Sequence, residues 1–200
     1  MKKKNILILL TVFIGFVLAA IIIEGPIGKH GKKKAAEASI LFPEFQIDQV
    51  ASVEIRSRDG EVKLKKENDT WLVATSDNYP ADPKAVGTMM DKVENLKSTL
   101  IASKSAEKHS QFEVDKSGVE VKMLGSEEKV LAHFFVGKMG PDFMSTYVRK
   151  ADQDTVLLVG EYLRSIFDKG TRGWRDRTIF SFDASQVQRL TLISKERGEI

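Results

Sequence analysis

Hydrophobic and polar positions change their period several times along this chain, and each change predicts an element. From Ile6 to Ile23 there is no alternation: "ILILLTVFIGFVLAAIII" carries no charge. As a helix it spans roughly 27 Å at 1.5 Å per residue, close to a hydrocarbon core of about 30 Å. A cleaved leader has a shorter apolar region and small residues before its cleavage site. Here Leu18 stands where cleavage after Ala20 needs a small residue, and three isoleucines follow. Residues 1–24 therefore read as an uncleaved, single transmembrane helix with a basic N-terminus.

Residues 25–39 lose all apolar period and read as a basic flexible tether. Its lysines, Lys29, Lys32, Lys33 and Lys34, are candidates to face lipid headgroups, and a solvated spacer is the competing interpretation. Residues 40–182 are expected to form a globular β-rich unit of one-domain size. "VASVEIRS" and "EVKLKKE" alternate at period two around "RDG", a hairpin signal, and "TWLVA" returns as a third strand. Then Asp82 and Pro83 fit an N-cap and a first helical position, and Val86, Met89, Met90, Val93, Leu96 and Leu100 recur at helical spacing. After a loop, "GVEVKML", "EKVLAHFFVG", "STYVRK" and "DTVLLVG" read as strands, and "EYLRSIFDKG" as a short helix. Turns this short exclude parallel crossovers. The expected class is α+β: antiparallel β-meander sheet or sheets, one longer and one short helix on one face, and a transmembrane helix in front.

The chain also echoes itself. In "FQIDQVASVEIRSRDGEV" and "FDASQVQRLTLISKERGEI", Phe45 matches Phe182 and Gln49-Val50 matches Gln186-Val187. Residues 183–200 thus read as the start of a second repeat, incomplete at its end.

Charge changes the picture in one respect. The formal +3 invites a nucleic-acid reading, but removing the seven lysines and Glu24 of residues 1–34 leaves 24 basic and 27 acidic residues. The remainder is slightly acidic, so the basic footprint that nucleic acid demands is missing. No cysteine is present, and His30, His109 and His133 have no partner at metal-ligand spacing, so no metal or cofactor is expected. "GKMGPD" lacks the spacing of a phosphate loop, and no nucleophile turn occurs, so catalysis is not expected.

"GWRDRTIF" is the stretch that most resembles chemistry. Arg175, Asp176 and Arg177 could form a carboxylate between guanidinium clamps. The favoured reading is a structural joint: Trp174 buried, an arginine stacked on it, Asp176 accepting bidentate bonds. Asp176→Asn is then expected to weaken folding.

Taken together, "LFPEFQIDQVASVEI", "TWLV", "YPADPKAV", "YVRK…TVLLV" and "WRDRTIFSFDASQVQRLTL" resemble the family catalogued as domain of unknown function 4340. The resemblance implies a membrane anchor followed by repeated β-rich units outside the cytoplasmic membrane, beside ABC-type transport components of the gliding-motility auxiliary kind. It implies no catalytic residues, and it places the Trp174 stretch at an inter-repeat junction. The lysines flanking the apolar segment nearly balance, so the resemblance alone orients it: N-terminus inside a bacterial cytoplasmic membrane, domain extracytoplasmic. The expected function is a non-enzymatic accessory protein that touches lipid through its helix and a transporter or envelope component through its domain. The alternative is a small-ligand or glycan-binding sensor domain.

Overall fold

Alternation decides which side of the sheet stays dry. In the hairpin of Ser52–Ser57 and Gly60–Glu67, Val53, Ile55, Val62 and Leu64 share one face and are buried, while Glu54, Arg56, Glu61 and Lys63 line the other. A slip of one residue would exchange the two faces, so burial fixes the register. The turn needs Gly60, whose φ of +129° is one that side-chain-bearing residues rarely adopt.

The computed structural model describes residue 13, residues 39–180 and 183–189, and residue 191. The strands are β1 (Ser39–Ile40), β2 (Ser52–Ser57), β3 (Gly60–Glu67), β4 (Thr70–Val73), β5 (Tyr79–Pro80), β6 (Lys97–Ser103), β7 (Val119–Leu124), β8 (Val130–Met139), β9 (Thr146–Lys150) and β10 (Val156–Val159). They form one ten-stranded sheet in the order β1-β6-β10-β9-β8-β7-β2-β3-β4-β5. Every pairing is antiparallel. Residues 39–180 also hold four α-helices, α1 (Pro83–Glu94), α2 (His109–Phe112), α3 (Arg164–Phe167) and α4 (Gly170–Trp174). The α+β class with an antiparallel sheet is the one the sequence predicts.

Helix α1 starts as its sequence dictates. The Asp82 carboxylate accepts hydrogen bonds from the Lys84 and Ala85 amides at 2.8 and 3.3 Å, and Pro83 opens the first turn. Ala85, Val86, Met89, Met90 and Val93 bury its apolar stripe. The helix stops at Glu94, where the Asn95 side chain donates to the Asp91 carbonyl at 3.0 Å. Leu100, assigned by spacing to the helical stripe, lies instead in β6, a strand the periodicity missed. The stretch carries Thr99 and Ile101, whose branched side chains favour an extended chain once the helix is capped. The single short helix expected over residues 161–170 is likewise two, α3 and α4, with Gly170 at φ +60° beginning the second.

Helices lie on both faces of the sheet rather than one. Val86, Met89, Leu163, Phe167 and Trp174 join Val53, Leu64, Val121, Phe134 and Val148 in the main core, with Phe134 and Phe167 edge-to-face at 5.6 Å. Helix α2 covers the opposite face over β8 and β9, where Phe112 packs on Tyr147 at 4.6 Å and Val114 is buried. Gly137 permits this approach, since a Cβ there would sit 2.2 Å from the Phe112 carbonyl oxygen and 2.7 Å from Val114 Cγ1.

The two halves of the sequence echo make the same local turn. Ile47–Gln49 and Ala184–Gln186 are both single 3-10 turns, closed by Gln49 N to Gln46 O at 3.2 Å and Gln186 N to Asp183 O at 3.0 Å. Among the described residues no helix is long and apolar enough to cross a membrane. Apart from Phe13, the apolar segment Ile6–Ile23 lies outside them, as do Lys29, Lys32, Lys33, Lys34 and residues 192–200.

Candidate functional site

The "WRDR" stretch is bound into the start of α1. Arg175 forms an antiparallel bridge with Ala81, the Trp174 carbonyl accepts from the Asp82 amide at 2.8 Å, and the Asp176 amide donates to the Pro80 carbonyl at 2.9 Å. Trp174 is fully buried, and Lys169, rather than an arginine, stands over its indole at 5.0 Å. The Arg175 guanidinium lies 4.9 Å from the Tyr79 ring and donates to Ser76 Oγ. Asp176 does not bind the arginines. Its Oδ1 accepts from the Thr178 amide at 2.8 Å, and that residue holds the carboxyl below the usual carboxylate range. Arg177 is exposed. Arg175 and Asp176 thus spend polar atoms on the domain itself, while among the described residues the buried Trp174 Nε1 and Arg175 Nε have no hydrogen-bond partner.

Sequence reasoning passed over Arg149. The residue is 8 % exposed, and its guanidinium donates to the carbonyls of Val114 at 2.9 Å, Lys150 at 3.1 Å, Ala151 at 3.2 Å and Gln153 at 3.1 Å. It also stacks on Phe135 at 4.4 Å. The alternation of "STYVRK" placed this arginine on the face opposite Val148, but only the fold shows that α2 covers that face. The same face carries a checkerboard of charge across β3, β2 and β7: Arg56 pairs with Glu54, Glu61 and Glu120, and Lys63 with Glu54 and Glu61. His133 Nε2 meets Glu120 Oε1 at 2.8 Å, and His109 Nε2 meets the Asp154 carbonyl at 2.9 Å. Among the described residues no three His, Asp or Glu side chains converge as metal ligands.

Among the described residues, three surfaces have the shape to meet a partner. The first is the outer edge of β6. Strand β1 pairs with it only at Ser98 and Lys97, and among the described residues no strand pairs the outer edge of residues 99–103. The second is a groove of about 290 Å³ beside Phe42, with His133, Lys150 and Asp152 on its walls. Lys150 Nζ stands 5.2 Å from the Phe42 ring.

The third is the turn between β8 and β9, where "GKMGPD" proves to be the end of a hairpin. Phe143 and Met144 are 75 % and 71 % exposed at its tip. With Met139 and Tyr162 they rim a concavity of about 470 Å³. The turn is fastened from within. Asp142 Oδ1 accepts from the Met144 amide at 3.1 Å, the Ser145 amide at 2.8 Å and Ser145 Oγ at 2.6 Å, and the Gly140 amide donates to the Ser145 carbonyl at 2.8 Å. The Ser145 hydroxyl, then the Ser145 and Met144 amides, hold the Asp142 carboxyl below its usual range.

Compared with known proteins, residues 71–200 match the family described as "Domain of unknown function (DUF4340)". No curated protein and no solved structure matches.

Proposed function

The chain belongs to the family described as "Domain of unknown function (DUF4340)", and from that membership we propose a non-enzymatic, membrane-anchored accessory protein whose extracytoplasmic domain contacts an ABC-type transporter or another envelope component. The open edge of β6 carries this reading. Among the described residues no strand lies along the uncharged edge of "TLIAS", and an incoming strand satisfies its backbone donors and acceptors by β-augmentation. The far edge of the sheet is built differently: β5 is two residues long, and the Ala81–Arg175 bridge closes the chain beside it. The charged side chains favour a binding module too, since Arg56, Lys63 and Arg149 are spent on the domain's own carboxylates and carbonyls.

A photo-crosslinking residue in place of Ala102, introduced into the full chain in its own membranes, tests this. It is expected to capture a transporter or envelope component, while the same residue in place of Lys65, on the charged face of β3, captures none. Identical captures from both positions, or none from Ala102, would remove the support for docking at this edge.

The Phe42 groove favours a second reading, a small-ligand or glycan sensor, because an aromatic ring beside Lys150, His133 and Asp152 suits a sugar face and its hydroxyls. Oligosaccharide binding lost in Lys150→Ala and Asp152→Asn, with no capture from Ala102, would favour it.

A further inference from the structure

Resting on the membrane-anchored reading, we propose that the Phe143–Met144 tip, with Tyr162 beside it, is a second membrane contact that dips into the lipid interface next to the tether.

The geometry comes from the register of the sheet. Ser39, the first residue of β1, pairs with Ser98; Ser98 pairs with Val159, Val159 with Thr146, and Thr146 with Met139. These residues form one cross-strand row. With neighbouring strands about 4.8 Å apart, the row is about 20 Å long. The tip (residues 140–145) and Tyr162 extend from the same end of the sheet as this row. A plane that touches Phe143 and Met144 therefore passes close to Ser39. Residues 25–38 reach at most about 50 Å when fully extended, so the apolar segment Ile6–Ile23 can span a bilayer while the tip rests on its surface.

The tip itself is shaped for this contact. Phe143 holds φ +59°, a conformation that costs a bulky residue energy, and the surrounding bonds keep it there with its ring in water. Asp142 is exposed, but its Oδ1 is engaged by three donors within the turn, so one of its two oxygens is already committed to shaping the tip. Gly140 leaves no space for a side chain, since a Cβ there would meet Ser145 Oγ at 2.0 Å. Lys97, exposed, and Lys138, half-buried, flank the row and supply positive charge at headgroup level. Phe, Met and Tyr on a convex turn suit the boundary between headgroups and acyl chains. The tether adds the decisive factor, for it holds the bilayer at high effective concentration beside the tip.

The native sequence has no cysteine, so single-cysteine labelling is clean. The full chain carrying Phe143→Cys, Met144→Cys or, as control, Lys65→Cys is labelled with an environment-sensitive fluorophore. Each is reconstituted into vesicles of phosphatidylethanolamine and phosphatidylglycerol. The expected result is a blue shift and quenching by shallow nitroxide lipids at positions 143 and 144, with neither at position 65. If the chain floats with the vesicles but the labels at 143 and 144 stay water-exposed, the tip contact is wrong and the anchor stands. If quenching at the tip appears only when native membrane proteins are added, the tip binds protein and the lipid contact is wrong. A chain that fails to float with vesicles at all overturns the anchor and the tip contact together.

Discussion

At the scale of residues, Arg149 spends its guanidinium on the carbonyls of Val114, of Lys150 at the end of β9, and of Ala151 and Gln153 in the turn that follows, where a surface arginine would meet water. Arg149→Met leaves the buried Val114 carbonyl without its donor and is expected to lower stability by about 1–3 kcal/mol, read from urea denaturation. Lysine should recover little of this, because one ammonium cannot replace a planar fork; full recovery by lysine would show that charge alone matters. Trp174→Ala should cost about 3–5 kcal/mol, the loss of a fully buried large aromatic. Asp176→Asn, by contrast, keeps the oxygen that caps the Thr178 amide, so its midpoint should stay near wild type, contrary to the sequence-based expectation. The side-chain detail was not legible beforehand. "WRDR" names the residues but not whether the aspartate turns to the arginines or to Thr178. Acid should weaken the fold through similar turns. The Ser117 hydroxyl and amide hold Asp115 below the usual carboxylate range, as Ser145 holds Asp142. Both folded values lie below the unfolded value of about 4, so their stabilisation is complete above that pH and is lost as pH falls through the folded values. Ser117→Ala combined with Ser145→Ala should flatten the fall of the urea midpoint below about pH 4; an unchanged fall would place the acid sensitivity elsewhere.

At the scale of elements, legibility followed local signals. The β2–β3 hairpin and the start of α1 were readable because a turn glycine and a capping aspartate with proline each act within a few residues. β6 was not, because the apolar spacing of α1 continues through Leu96 to Leu100, and only the pairing of β6 with β10 decides for a strand. Helix α2 is too short for any period, and the covering of the second face depends on Gly137 in a distant strand. Gly137→Ala tests that dependence. The added methyl meets the Phe112 carbonyl and the short, branched side chain of buried Val114, neither of which can swing aside, so it should destabilise by about 1–3 kcal/mol. Amide exchange over residues 109–118 should speed up more than in α1. Equal acceleration in both regions would mean that α2 is not a separable cover.

At the scale of the whole molecule, the ten strands are one continuous sheet, and its order joins distant parts of the chain: β1 to β6, β6 to β10, β2 to β7. Sequence patterning left open whether there was one sheet or several, since period two reports a strand's faces and not its neighbours. A sheet with so many non-local pairings should fold slowly, in milliseconds to seconds. It should also unfold as a unit, with the far-ultraviolet signal of the sheet and the fluorescence of buried Trp174 and half-buried Trp71 changing together. Separate transitions would divide the sheet into independent parts.

The two-residue strand β1 also makes the domain responsive to pulling. On the membrane-anchored reading proposed above, tension along residues 25–38 arrives at Ser39, and among the described residues only Ser39 and Ile40 pair with β6 on this side. This joint should yield first and release about 7 Å of slack at about 3.4 Å per residue. Slippage then halts at Leu41 and Phe45, which are wedged in the core. A single-molecule trace should show this small step at low force before the main rupture, and a trace without it would mean that load reaches the core directly. While the step is open, Lys97 and Ser98 lose their neighbour and the free rim of β6 grows longer. A tug from the bilayer would thus lengthen the strip that a partner strand can grip, and the attachment would tighten under load.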